Sequence, residues 1–79
     1  MGLKKEDCVN TESLLMAYIM RYQRIPIKEI CKRIGMTEER LRRIFYFHDR
    51  RDAWEIFRMM SHQEIMQIDT KVYKSPAVK

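Results

Sequence analysis

Apolar residues along the chain fall into four blocks spaced for helices and divided by short polar or prolyl breaks. Leu14, Leu15, Tyr18, Ile19 and Tyr22 recur at helical spacing and predict a helix that ends at Tyr22 or Gln23, with Asn10 or Thr11 as its cap. Pro26 disfavours the helical region at Ile25 and suits the first turn of a new helix, so a break falls at Arg24 to Ile25. Ile27, Ile30, Cys31 and Ile34 then stand at i, i+3, i+4 and i+7, with Lys28, Glu29, Lys32 and Arg33 on the opposite face. Gly35 follows the last of them, where helices usually end in the left-handed conformation that glycine enters without steric cost. Thr37 offers a cap for the next helix, Glu38 and Glu39 favour its positive end, and Leu41, Ile44 and Phe45 give it an apolar face. The group His48, Asp49, Arg50 and Arg51 reads as a connection with Asp49 as cap for a fourth helix, which runs to about Ile68.

The pattern predicts an all-α fold: a small four-helix domain over residues 11–68 containing a helix-turn-helix at residues 27–46. Residues 1–10 and 69–79 are expected to be flexible ends. With 79 residues, 46% of them apolar, the chain can close one modest core. The fourth helix carries Ala53, Trp54, Ile56, Phe57, Met59, Met60, Ile65, Met66 and Ile68, more apolar surface than a three-helix core buries. That surplus predicts an interface, with Trp54, Phe57, Met60 and Ile65 as dimer or partner contacts. The alternative is that Trp54 and Phe57 plug the core beneath the helix-turn-helix while the methionines stay half exposed.

Charge sharpens the picture. The net charge of +5 hides an uneven distribution: ten Lys or Arg against four acids lie between Arg21 and Arg51, and the rest of the chain is close to neutral. A cluster of this kind attracts phosphate backbones, and binding through it weakens with salt. Cys8 and Cys31 are too few and too far apart for a disulfide framework, no apolar run reaches membrane-spanning length, and the first ten residues lack the apolar core of a secretory signal. A cytoplasmic location without membrane contact is the resulting expectation. His48 and His62 share no ligand spacing with the cysteines, and no nucleophile motif or glycine-rich phosphate loop occurs, so neither a metal site nor an enzyme is expected.

Residues 14–47 carry a resemblance to bacterial helix-turn-helix transcription regulators, most similar to the first DNA-binding submotif of the AraC/XylS family. The helix Ala17 to Gln23, Cys31 four residues before Gly35, the turn Gly35-Met36-Thr37 and the run Leu41-Arg42-Arg43-Ile44-Phe45 carry it. TetR-type regulators share the Leu41 and Phe45 spacing. In two positions the chain departs from the AraC pattern: Cys31 stands where alanine is usual, and Pro26 replaces a capping Ser or Thr. AraC-type domains have two such units where this chain has room for one, and the ligand-binding domain of TetR regulators has no counterpart, so no small-molecule effector and no cofactor are expected.

The resemblance implies a small regulator that binds double-stranded DNA as a homodimer, with the helix from Thr37 to Phe47 in the major groove. Arg42 and Arg43 would contact phosphates, Glu39 or Arg40 near the helix start would read base edges, Thr37 ahead of them would also touch DNA, and Tyr46 and Lys28, with Arg21 and Arg24, would add backbone contacts. A competing reading is a protein-binding regulator, such as an antagonist of a larger transcription activator, acting through the fourth helix without touching DNA.

Overall fold

The structure is a computed structural model, and it describes residues 10–48, 50–71 and 73. Every regular element among them is helical: α1 (Thr11–Tyr22), α2 (Ile27–Ile34), α3 (Glu38–Phe47), α4 (Arg51–Arg58) and α5 (His62–Gln67). The all-α expectation holds, and the helix count rises from four to five.

The middle of the fold is α1. Asn10 caps it, its side chain accepting from the Ser13 amide at 2.8 Å. Leu14, Ala17, Tyr18, Ile19 and Met20 are all buried, an arc wider than the stripe the sequence pattern indicates, because α1 packs against both α2 and α4. Tyr22, expected in that stripe, is exposed. Around α1 the core is completed by Ile30 and Ile34 of α2, Met36 of the turn, Leu41, Ile44 and Phe45 of α3, and Ala53 of α4.

The turn on either side of α2 contains a residue in the left-handed conformation. At the end of α2, Gly35 has φ 83°, and the amides of Gly35 and Met36 both donate to the Cys31 carbonyl, at 2.8 and 3.2 Å. After α1, one residue beyond its cap Gln23, Arg24 is left-handed with φ 68°; its amide donates to Arg21 while that of Ile25 reaches back to Met20 at 3.0 Å. Ile25 then turns onto the core. The break at Arg24 to Ile25 and the turn at Gly35 therefore both lie where the sequence pattern puts them.

The long fourth helix does not form. It is interrupted at Met59 to Ser61, where the amides of Met59 and Met60 bond three residues back, to Ile56 and Phe57, and tighten the last turn. Ser61 is extended and opens α5 with a capping box: its hydroxyl accepts from the Glu64 amide at 3.1 Å, and the Glu64 carboxylate accepts from the Ser61 amide at 2.9 Å. Asp49, expected to cap the fourth helix, lies outside the described residues; the residue at the cap of α4 is Arg50, with no side-chain capping bond.

The chain after α5 stays on the domain, so the packed unit extends beyond residue 68. Thr70 is buried and Tyr73 packs against the core, where its hydroxyl lies 3.1 Å from that of the buried Ser13. Arg33 fastens the same segment, pairing with Glu29 at 3.1 Å and donating to the Thr70 carbonyl. No helix among the described residues is long and apolar enough to cross a membrane.

Candidate nucleic-acid interface

Leu41, Ile44 and Phe45 turn one side of α3 into the core, and the helical repeat then forces Glu39, Arg43 and Tyr46, spaced i, i+4 and i+7, onto the opposite side. All three are exposed. Arg42 is exposed on the flank of this face and pairs with Glu38 at 2.6 Å one turn earlier. Thr37 is committed to the start of the helix, its hydroxyl accepting from the Arg40 amide at 3.3 Å. Arg40 is half-buried and belongs to the edge of the packed surface rather than to the outward face. Lys28 is exposed on α2.

Two features of this region go beyond the sequence expectation. Phe47 is 61% exposed and meets the ring of Tyr46, itself 78% exposed, edge to face at 5.1 Å. Its position was legible, since Phe47 falls off the apolar stripe of Leu41, Ile44 and Phe45. Arg21, from the last turn of α1, sits over the Phe45 ring with its guanidinium carbon 5.1 Å from the centroid. Arg21, Ile27, Arg42, Phe45 and Tyr46 enclose a cleft of about 340 Å³ between α1, α2 and α3.

On the other side of Arg21 and Phe45 lies a second cleft, of about 530 Å³, walled by Tyr18, Tyr22, His48, Trp54 and Phe57. His48 ends α3 in the left-handed conformation, φ 55°, and stacks on Trp54 with 3.8 Å between ring centroids. The Tyr18 hydroxyl lies between the Ile44 carbonyl, to which it donates at 3.2 Å, and Nδ1 of His48 at 3.4 Å. Burial pushes the Cys31 thiol above its usual pKa; Glu38 pushes the same way and Arg42 opposes both.

The expected partner contacts are only partly on the surface. Ile65 is 3% exposed and therefore faces the interior, and Trp54 and Phe57 are half-buried against the core. The break before Ser61 is the reason: it turns α5 so that Ile65 points inward and leaves Met59 82% exposed, with Ile56 and Met66 also exposed. Met60 is half-buried. No three His, Cys, Asp or Glu side chains converge among the described residues. No family model, curated protein or solved structure matches the chain.

Proposed function

We propose that the chain is a small DNA-binding regulator that presents the outward face of α3 to nucleic acid. The observation carrying this reading is the alignment of Glu39, Arg43 and Tyr46 on an exposed face, flanked by Arg42 and by Lys28 of α2. Arg43, with Lys28, supplies the charge for phosphates, Arg42 adds hydrogen-bond donors beside it, and Glu39 near the helix start would accept from a cytosine amino group. Glu38 is already neutralised by Arg42, which lowers the repulsion a carboxylate there would exert on a phosphate. The helix-turn-helix resemblance of residues 27–46 supports the same assignment by analogy. Pairing of two copies through exposed Ile56 and Met59 would supply the second half-site contact expected of such regulators.

The test is recovery of genomic DNA fragments at low and moderate salt by the native chain and by a variant with Lys28, Arg42 and Arg43 changed to Ala. A recurring site, weakened by salt and lost in the variant, supports the assignment. Equal recovery by both proteins would remove α3 as the reading element. In that case the exposed Ile56, Met59 and Met66 favour the second reading, a regulator that docks on another protein through α4 and α5.

A further inference from the structure

A nucleic-acid duplex hides the faces of its bases and offers edges, thymine methyls and phosphates, so a helix that reads it has no base face on which to stack a ring. The far end of α3 offers ring faces: the exposed rings of Tyr46 and Phe47. Beside them, the clefts of about 340 and 530 Å³ have Arg21 and Phe45 in both linings, so they adjoin, and the two together are termed the trough. Their linings combine cationic and aromatic groups: Arg21, Arg42 and Tyr46 in the smaller cleft, and Arg21 with Tyr22 and Trp54 in the larger. Ring faces beside guanidinium groups are what an unpaired strand uses, since its bases stack while its phosphates meet cations.

We propose that this trough binds single-stranded nucleic acid, with a base on Tyr46, the backbone at Arg42 and Arg21, and a further base in the cleft that Trp54 lines. The inference rests on the reading of α3 as a nucleic-acid-facing element and names the form of ligand taken at its end. Because Arg42 is shared with Glu38, stacking contributes more than charge. Two phosphate contacts predict a shallow salt dependence, with log affinity falling about 1.4 per decade of salt.

The chain contains one tryptophan, Trp54, which reports directly on the trough. A mixed-sequence strand of about 12 nucleotides, and the same strand paired within a hairpin duplex, are titrated into the full chain while its fluorescence is followed. The strand is expected to quench Trp54 and to bind at least about tenfold more tightly than the duplex, and Tyr46→Ala to weaken strand binding about 5- to 100-fold. Tyr46 is exposed, so the variant's melting temperature, measured alongside, is expected to match the native one. Duplex binding as tight as strand binding, strand binding without quenching, or indifference to Tyr46→Ala would overturn this inference and leave the reading of α3 as a DNA-binding element standing. Failure of both probes to bind at low salt would overturn the two together.

Discussion

Gln23 and Thr70, 47 residues apart, are joined side chain to side chain: the Thr70 hydroxyl donates to Gln23 Oε1 at 2.7 Å. The amide of Gln23 is used at its other end as well, donating to the carbonyls of Ile65 and Ile68 at 2.8 and 2.9 Å. One side chain at the end of α1 therefore holds α5 and the segment that follows it. Gln23→Ala removes three hydrogen bonds and strands the hydroxyl of a buried threonine, and is expected to cost about 2–3 kcal/mol. Gln23→Glu keeps the acceptor for Thr70 and loses both donors, so in urea denaturation its midpoint is expected to fall between those of the native chain and the alanine variant.

Gly35 and Arg24, the left-handed residues on either side of α2, make opposite predictions. At Gly35 any side chain meets the carbonyl clash that glycine avoids, and Gly35→Ala is expected to destabilise by about 1–2 kcal/mol. At Arg24 that cost is already present, and Arg24→Gly is expected to raise stability by about 0.5 kcal/mol after the greater freedom of unfolded glycine is subtracted. Thermal melting of the pair checks both signs.

Acid sensitivity has an identifiable contributor. The Asp52 carboxyl is lowered from the usual 3.8 to about 2, chiefly by the hydrogen bond from the Thr11 hydroxyl; desolvation opposes this, and the Ala53 amide and Arg50 reinforce it. Since the folded value lies below the unfolded one, the contribution is fully present above about pH 4 and is lost as pH falls toward 2. Comparison of native and Asp52→Asn denaturation midpoints is expected to show a gap that is constant near neutrality and closes across that window. Asp52 is exposed, so the gap is small.

Ile65 and Met59 separate core from surface within the apolar C-terminal block. Ile65→Ala is expected to cost about 2–5 kcal/mol, as truncation of a buried aliphatic does, whereas Met59→Ala is expected to change stability by less than about 0.5 kcal/mol. Chemical denaturation of the two variants decides it. A large loss at Met59 in the isolated chain would instead mean that its side chain is covered by a second copy.

Residues 27–47 were legible because periodicity, glycine and threonine all point to the same helix, turn and helix, and Gly35 and Thr37 take the cap roles their chemistry suits. The fourth helix misled for a definite reason. Met59 and Met60 continue the apolar pattern across a break whose only local mark is Ser61 followed three residues later by Glu64, a capping box that outweighs periodicity. Thr70 and Tyr73 gave no signal, since their partners Gln23, Arg33 and Ser13 lie far away in sequence. For the α3 face, the direction of each side chain follows from the helical repeat. The trough beside it does not, because Arg21 and Trp54 reach it from helices whose relative placement only packing determines.

The contact between Ser13 and Tyr73 brings the two ends of the described residues to one place, 60 residues apart along the chain. Topologically the domain is close to a ring. A segment fused ahead of Asn10 and one fused after Tyr73 would both depart from the same neighbourhood, so a partner attached at either end starts from one side of the domain. Joining the ends of the described residues by a short linker would link positions that are already close, which makes the order in which the helices are strung a smaller constraint on this fold than the packing of α2 and α4 against α1.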